Sequence, residues 1–433
     1  MSPITATTTQ VPVGEIHCQQ NPYSRELQTT CIECSEKPDK KGFYQVKLHD
    51  TVLFPEGGGQ PFDTGFIDDI QVYNVQRKKL EHIHYTKQPV PVGKQVLVKL
   101  DWERRWDHMQ QHSGQHLLTA VLEQAPYSVD TGSWNLGATK CFIELQTGEA
   151  KKQRMPTPEE LVIVEIRVNQ LILDAVPVIV HTESFDESSK PESLPDDYVG
   201  GGTIRRVEIQ NLDLNPCCGT HVAHTGHLQS IKLLHTEKAR GGNTRLFFLV
   251  GQRVTDTLGT SLNVSRQLNN LLSVPQEAFV ENVARLQQAR SANQKTVKRL
   301  MGELAGYVAA EIGRRINKED TDVVMLYRED ADMEFLQTIQ LAIRDQNILL
   351  GGGGGDGASN SNKVVVLAAG EKHLGGPMMI AASNDGALQQ VAKTVTAALD
   401  IKGGGKGRWQ GKAKNWKGID ELQKQLDQLK INA

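Results

Sequence analysis

The sequence predicts a protein of the mixed α/β (α+β) class that is built from several domains. Three observations support this prediction. The chain has 433 residues, of which 38% are hydrophobic and 23% are charged, and this length exceeds the size at which a single hydrophobic core stops growing. Apolar residues alternate with period two near the N-terminus, whereas farther along they recur every three or four residues. Strand-rich and helix-rich segments are therefore both expected.

The first domain, residues 1–100, is expected to be small and rich in β-strands. Apolar and polar side chains alternate over residues 43–48 and 95–100. Pro, Gly and Asp separate these runs, as they do between the strands of small β-domains.

The second domain, residues 101–253, is expected to combine helices and strands. Apolar residues from Trp106 to Leu122 lie near helical spacing and predict a helix from residue 102 to about 124. The other predicted elements are a helix over 158–173, an acidic loop over 184–197 and strands over 204–209 and 228–234.

Residues 254–318 are expected to form a long amphipathic helix or a helical hairpin. Apolar side chains recur every three or four residues between Phe279 and Ile312, with polar residues between them. Ser273 followed by Pro275 predicts a helix start, with the serine as cap and the proline in the first turn.

The last domain, residues 319–433, is expected to be a small α/β unit. Strands are predicted over 323–327 and 364–368, and a helix over 386–399. A Gly-x-Gly-x-x-Gly spacing occurs within residues 351–357, but a strand rather than a helix is predicted to follow it. A dinucleotide site needs a helix there, so no nucleotide cofactor is expected.

Composition excludes several classes of protein. The formal net charge of −3 argues against a globally basic nucleic-acid coat protein, although it allows local basic patches. No apolar stretch approaches the roughly 20 residues that span a bilayer, and the N-terminus shows no secretion signal. Six cysteines in a chain of this length do not suggest a disulfide scaffold. A cytoplasmic protein without membrane partners is expected.

The strongest chemical signal is a pair of half-motifs, His-Ser-Gly-Gln-His at 112–116 and Cys-Cys-Gly-Thr-His at 217–221. Helical residues four apart share a face, so His112 and His116 can converge on one metal. Cys217 and His221 repeat the spacing across a turn, and three imidazoles with one thiolate suit a single Zn²⁺ per chain. Ordinary core or surface roles are the alternative for either pair alone. The alternative ligands are Cys218, His108, His224 and His227.

Two related motifs can be set aside. Residues 113–115 lack the Glu of a zinc-peptidase helix, so a peptidase is not expected. Cys31 and Cys34 have a zinc-like spacing, but no second pair matches them, and they are interpreted as having no metal role.

The two half-motifs resemble those of the editing domain of alanyl-tRNA synthetase, with Cys218 in place of the usual glycine. The run Asp-Thr-Val-Leu-Phe-Pro-Glu-Gly-Gly-Gly-Gln-Pro at 50–61, with Asp63 and Gly65 after it, is similar to the Gly-rich motif of that family's β-barrel domain. The hundred residues before His112 are too few for a class II aminoacylation core. The chain therefore resembles the free-standing AlaX-type alanyl-tRNA editing proteins, of the long eukaryotic kind, most specifically over residues 48–251.

The resemblance implies an N-terminal β-barrel, a zinc-binding editing domain and a function. The implied activity is hydrolysis in trans of the ester of mischarged tRNA(Ala), chiefly Ser-tRNA(Ala), which maintains translational fidelity. Two alternatives remain open: a non-catalytic zinc-containing RNA-binding or chaperone-associated protein, and an editing enzyme for another tRNA such as tRNA(Thr). Four protein ligands make a closed site, whereas catalytic zinc usually keeps one position open.

The resemblance also suggests substrate-recognition residues. Thr51 is a candidate partner for a serine hydroxyl, and the alternative is an ordinary β-branched strand residue. The glycines Gly57, Gly58 and Gly59, followed by Gln60, could form a tight turn or allow close approach of backbone to the substrate.

Basic residues provide candidate RNA contacts. Arg104 and Arg105 begin the helix that carries His112 and His116, and the alternative for both is ordinary solvated charge. Near the C-terminus, Trp409 and Trp416 alternate with basic residues in an acid-free, Gly-rich stretch, which predicts phosphate contacts with possible base stacking. A flexible solvated tail is the alternative. The candidates in this stretch are Lys402, Lys406, Arg408, Lys412 and Lys414.

Overall fold

The computed structural model describes residues 9–148, 153–184, 203–318, 321–349 and 362–431. Most of the predicted acidic loop and the whole of the Gly-x-Gly-x-x-Gly run lie outside these segments. Two units are distinguished, residues 1–267 and 268–433. Among the helices of the described segments, none is long and apolar enough to cross a membrane.

The N-terminal strands close into a barrel of six antiparallel strands, in the order β1-β2-β5-β4-β3-β6. The barrel core is apolar, with side chains such as Val46, Leu48 and Val98 fully buried. The predicted strands near residues 43–48 and 95–100 are confirmed. The elements of this region are α1 (His17–Gln20), β1 (Glu26–Cys34), β2 (Tyr44–Leu48), β3 (Gly65–Ile67), β4 (Ile70–Lys78), β5 (Glu81–Thr86) and β6 (Gln95–Leu100).

A buried helix, α2 (Trp102–Glu123), follows the barrel, as the apolar spacing predicts. The Asp101 side chain caps it by accepting a hydrogen bond from the backbone N–H of Arg104. The remaining elements of the first unit are β7 (Thr131–Leu136), β8 (Cys141–Leu145), α3 (Pro158–Leu173), β9 (Val178–Ser184), β10 (Thr203–Ile209), β11 (Asp213–Pro216), β12 (Ile231–Lys238), β13 (Thr244–Val250) and the start of α4 (Gln252–Leu272).

Two sheets accompany α2 in this unit. One has four strands in the order β12-β13-β8-β7, and the other has three in the order β11-β10-β9. Helix α2 packs closely on β13, since a Cβ at Gly114 would lie 2.5 Å from a methyl carbon of Val250. The strand predicted over 228–234 begins at Ile231 instead, because a short 3₁₀ helix occupies Thr225–Leu228.

The second unit contains a long helix, α5 (Phe279–Lys318), and a five-stranded sheet. The predicted helix start at Ser273 is wrong. Ser273 adopts φ 54° after the end of α4, and α5 begins at Phe279. The other elements are β14 (Val323–Arg328), α6 (Met333–Asp345), β15 (Val364–Ala369), β16 (Gly376–Ala382), α7 (Asp385–Ala398), β17 (Ile401–Gly404), β18 (Arg408–Ala413) and α8 (Ile419–Asp427).

The sheet of the second unit has the order β14-β15-β16-β18-β17, and only the β14–β15 pair is parallel. Most of the basic C-terminal stretch is a β-hairpin in this sheet, so it is not a flexible tail. The indoles of Trp409 and Trp416 are buried, with exposed fractions of 5% and 1%. The prediction that they stack on RNA bases is therefore wrong.

The glycines beside Trp409 have a packing role. A Cβ at Gly403 or Gly411 would lie about 2.5 Å or less from the Trp409 ring, closer than a real Cβ contact. The alternation of glycine and tryptophan in this stretch therefore makes room for an indole in the protein core.

Candidate functional site

Four buried side chains meet between α2 and the loop that follows β11. They are His112, His116, Cys217 and His221, and one ligand atom from each lies within 4.8 Å of all the others. The Sγ of Cys217 is 3.4 Å from Nε2 of His112 and 3.2 Å from Nε2 of His221. The structure thus brings the two half-motifs together, and among the described residues this is the only such group of three or more.

Neighbouring side chains orient the imidazoles. Nδ1 of His112 is 2.9 Å from the amide oxygen of Gln60, which also accepts the backbone N–H of Thr220. Since an amide oxygen only accepts, Nδ1 carries the proton and Nε2 is left facing Cys217. The hydroxyl of Ser113, which accepts from the backbone N–H of Val222, lies 3.1 Å from Nδ1 of His221. Such outer contacts fix a histidine for metal binding.

The electrostatics of the cluster favour uncharged imidazoles, whereas the Cys217 thiol has to lose its proton when a metal binds. Burial lowers the pKa of His116 to about 4 and raises the pKa of Cys217 to about 12. Burial also lowers the pKa values of His112 and His221 well below their usual range. At neutral pH the imidazoles are therefore uncharged, as metal ligands must be. Zinc–ligand bonds of about 2.0–2.3 Å place tetrahedral ligand atoms about 3.5 Å apart, close to the observed Sγ–Nε2 distances.

Gly219 allows the loop to approach His112. A Cβ at this position would lie 2.3 Å from Cε1 of His112 and 2.8 Å from Oε1 of Gln60. Any side chain there would displace His112 or Gln60. The neighbouring Cys218 is half-buried and is not part of the cluster.

Arg205 supports the same loop from β10, and sequence reasoning missed it. Its buried guanidinium donates to the carbonyl oxygens of Cys217, Gly219 and Gln19 at 2.9–3.2 Å. No carboxylate of the described segments pairs with it. The strand over 204–209 carries Arg205 and Arg206 side by side, and the sequence does not indicate which of the two is buried.

A cleft of about 670 Å³ leads to the cluster. Gly58 and Gly59 line it with positive φ values of 56° and 75°. A Cβ at Gly59 would lie 2.3 Å from the ring of Trp134 on β7, so the glycines let this loop lie directly against the indole. Gly57 lies outside the lining, where it forms a bridge with Gln60.

Two expectations about recognition residues are corrected. Thr51 does not line this cleft: it is fully buried, and its hydroxyl accepts from the backbone N–H of Leu53 and lies 2.9 Å from Nε2 of His84 in the barrel. Gln60 is also fully buried, and its amide contacts His112 and Thr220. Gln60 thus positions His112 and does not face the cleft.

Gln115 and Thr119 are polar residues of the cleft that sequence reasoning missed. The Gln115 amide nitrogen donates to the Thr119 hydroxyl at 3.0 Å. The amide oxygen of Gln115 is buried and has no partner among the described atoms. The signal for Gln115 was its place directly before His116, which puts it beside the half-motif of His112 and His116 on α2.

Arg105 cannot contact RNA, which corrects another expectation. Its side chain is fully buried and forms an ion pair with Asp63, whose side chain is also fully buried. It also donates to the backbone carbonyls of Pro22 and Val52. Arg104 differs, since it is half-buried and its guanidinium lies over the ring of Phe62.

The C-terminal candidates are exposed on the β17–β18 hairpin and its flanks. Lys402 and Lys412 face each other as direct cross-strand partners, and Lys414 forms an ion pair with Asp400 at 2.7 Å. Lys406 lies in the turn, and Arg408 is the first residue of β18. Like charges directly opposite each other destabilise a strand pair, which would favour an anion at this position.

The other cysteine and histidine candidates lie outside the metal cluster. Cys31 and Cys34 are unbridged thiols on β1. The ring centroids of His224 and His227 are 3.8 Å apart, with the two rings tilted by 37°. Burial lowers the pKa of His108 to about 4.

Comparisons with known proteins agree on one family. The family described as "Threonyl and Alanyl tRNA synthetase second additional domain" matches residues 204–247. The Rattus norvegicus alanyl-tRNA editing protein Aarsd1 is 39% identical over 412 residues, covering 92% of this chain and 93% of that protein. The Xenopus laevis protein Aarsd1-A is 37% identical over 411 residues, with the same two coverages. The alanine–tRNA ligase of Pyrococcus furiosus is 27% identical over 313 residues, which are 69% of this chain and 32% of the ligase.

Proposed function

The chain belongs to the family of alanyl-tRNA editing proteins, and from this premise we propose that it hydrolyses the ester of mischarged tRNA(Ala), chiefly Ser-tRNA(Ala), in trans and in the cytoplasm. The observation that carries the proposal is the buried cluster of three histidines and one cysteine, reached through a cleft that the Gly-rich loop lines. The cleft volume is in the range of small-molecule sites, which suits the aminoacylated end of a tRNA.

We propose that His112, His116, Cys217 and His221 hold one Zn²⁺. When bound, zinc would supply Lewis-acid polarisation, and it could lower the pKa of a water only if one of the four ligands were held loosely enough to open a position. The chain itself binds and orients the substrate. Gly58 and Gly59 bring backbone close to the ligand, Trp134 walls the cleft, and Arg205 holds the ligand-bearing loop.

Selectivity for serine is assigned to Gln115, since its amide oxygen is the buried acceptor that lacks a partner at the cleft. A serine hydroxyl would satisfy it. An alanyl group would leave it unpaired, and such a mismatch discriminates strongly between substrates. Correctly charged Ala-tRNA(Ala) would therefore be spared.

Single-turnover deacylation of Ser-tRNA(Ala), Ala-tRNA(Ala) and Ser-tRNA(Thr) tests the proposal. The wild type should hydrolyse Ser-tRNA(Ala) fastest. Gln115→Met, which keeps the length and removes the amide, should slow that reaction about tenfold or more and leave Ala-tRNA(Ala) unchanged. Thr51→Val is the matched control, because its hydroxyl lies in the barrel, and it should retain selectivity.

Other outcomes separate the alternatives. No hydrolysis by a zinc-loaded protein would indicate a non-catalytic RNA-binding or chaperone-associated role. Faster hydrolysis of Ser-tRNA(Thr) would indicate editing of tRNA(Thr). Unchanged rates in Gln115→Met would assign the discrimination to another residue.

Contact with the tRNA body is proposed for exposed basic residues of the hairpin, namely Lys402, Lys406, Arg408 and Lys412, with Arg104 as a further candidate. Lys414 is left out because it already pairs with Asp400. The directly opposed Lys402 and Lys412 support this, because a phosphate between them would relieve their repulsion. Truncation before Lys402 would remove part of the core around Trp409, so point variants are the appropriate test.

Lys402→Ala combined with Lys412→Ala should weaken tRNA binding and flatten its salt dependence. Each lost phosphate contact reduces the slope of log affinity against log salt by about 0.7–0.9. A salt titration of affinity measures this. Lys414→Ala is the control, since Asp400 already neutralises Lys414. Equal slopes for the double variant and the wild type would exclude the hairpin as an RNA contact.

A further inference from the structure

The N-terminal part of α5 is exposed on nearly every side. From residue 281 to residue 300, only Asn282 is buried. Large apolar side chains are nevertheless frequent there: Leu286, Val297 and Leu300 are each about half exposed, at 50%, 55% and 49%. An isolated helix has only marginal stability in water. Single exposed apolar residues are common on protein surfaces, whereas a continuous row of them indicates an interaction surface.

These side chains form a continuous row with alternating spacings of four and three residues. We call this row the α5 seam; it comprises Phe279, Val283, Leu286, Arg290, Asn293, Val297, Leu300 and Leu304. A 4-3 alternation over more than three heptads is the pattern of a coiled-coil seam. The other charged residues between 283 and 300 lie off the seam, at Arg285, Lys295, Lys298 and Arg299.

Within the described part of the second unit, α5 packs through its C-terminal part and through a different face. The buried side chains are Ala305, Ala309, Ile312 and Ile316, which join the core with α6. A groove runs along the seam from Leu286 to Met301. The second unit therefore leaves the seam uncovered over most of its length.

We propose that the α5 seam is a self-association surface that pairs with the same seam of a second copy in antiparallel orientation. The order of residues along the seam supports this orientation, because it is nearly palindromic. Antiparallel pairing opposes Val283 to Leu300 and Leu286 to Val297, with Phe279 opposite Leu304. The two central layers then oppose Arg290 to Asn293, so each polar residue meets a polar residue.

Parallel pairing would place Arg290 against Arg290 of the other copy. Two like charges in the same core layer are closer together, and therefore repel each other more strongly, than two in neighbouring layers, as in the antiparallel arrangement. The single charged residue of the seam therefore selects the antiparallel arrangement. The flanking positions Gln287, Ala289, Gln294 and Thr296 carry no charge that would oppose either arrangement.

The surface is large enough for a specific contact. The seam spans 26 residues, which corresponds to about 40 Å of helix. A strip about 15 Å wide on each copy would bury on the order of 1,200 Å² in total, at the lower end of specific interfaces. The dimer is therefore expected to be reversible and concentration-dependent.

Sedimentation equilibrium of the full chain tests the proposal. The wild type should show a monomer–dimer equilibrium. Leu286→Glu should raise the dimer dissociation constant at least about tenfold, because it places a carboxylate in two apolar layers of the dimer. Gln288→Glu adds the same charge on the opposite side of α5 and should leave the constant unchanged.

A variant that is expected to strengthen the dimer serves as a second test, because misfolding of Leu286→Glu could also abolish dimerisation. Arg290→Leu should tighten the dimer, since it replaces a charge by an apolar side chain in both central layers. A wild type that stays monomeric at high concentration, or a dimer indifferent to both Leu286→Glu and Arg290→Leu, would overturn the proposal.

Disulfide trapping tests the orientation. In a mixture of Val283→Cys and Leu300→Cys chains, antiparallel pairing should cross-link one variant to the other. Cross-links of Val283→Cys to itself would indicate parallel pairing. The wild type, which has six free cysteines, gives the background. RNA bound to the nearby basic residues is the competing occupant, and it would weaken with added salt, whereas an apolar seam would not.

Discussion

Cys217→Ala is expected to remove the proposed zinc and the proposed hydrolytic activity together. The variant deletes the only thiolate of the cluster and leaves three buried imidazoles. Loss of an outer partner of a metal ligand already costs 10–100-fold in affinity or activity, so loss of the ligand itself should lower deacylation by more than about 100-fold. Elemental analysis and single-turnover rates measure the two effects.

Cys218→Ala is the matched control, because the two thiols are adjacent and only Cys217 lies in the cluster. This variant should keep about one zinc per chain. Full zinc content in Cys217→Ala would remove Cys217 from the ligand set. Zinc loss in Cys218→Ala alone would exchange the roles of the two cysteines.

Arg105→Ala is expected to lower the free energy of unfolding by about 3–5 kcal/mol, because it leaves the carboxylate of Asp63 buried without its cation. The backbone carbonyls of Pro22 and Val52 would also lose a donor. Arg104→Ala, one residue away and partly exposed, should change stability by less than about 1 kcal/mol.

Hydrogen exchange of strands β1–β6 and of α2 measures the effect, since a chain with two units need not unfold in one step. The double variant Asp63→Leu with Arg105→Met should recover part of the loss, because it removes both buried charges. Equal protection in Arg105→Ala and Arg104→Ala would contradict a structural role for the ion pair.

Local pattern was sufficient for much of the fold. Alternation over residues 43–48 and 95–100 identified two barrel strands, and the spacing around Met109 and Leu117 identified α2. The fixed spacing of His112 and His116 on a helix also placed two imidazoles on one face. In each of these cases the periodicity of one segment determines the outcome.

Which of several similar side chains is buried, and what it contacts, depends on tertiary structure and could not be predicted from the sequence. Arg104 and Arg105 are adjacent and chemically equal, yet only Arg105 points to Asp63, which is 42 residues away. The segment around Trp409 is rich in basic residues, as RNA-binding segments are. The register of β17 against β18 nevertheless places the Trp409 ring over two glycines. The same holds for two glutamines. Gln60 contacts His112 and Gln115 lines the cleft, and this difference arises only when the barrel packs against α2.

The segment from Gln60 to Asp63 has a consequence for how the centre assembles. Within four residues the barrel holds His112 through Gln60 and Arg105 through Asp63. The ligand geometry is therefore a joint property of two parts of the chain, and neither has it alone. Binding of metal would then be linked thermodynamically to packing of the barrel against α2. Bound metal would stabilise the packed state, and packing would raise the affinity for metal. Metal supply would act on this protein as a folding signal as well as a chemical requirement.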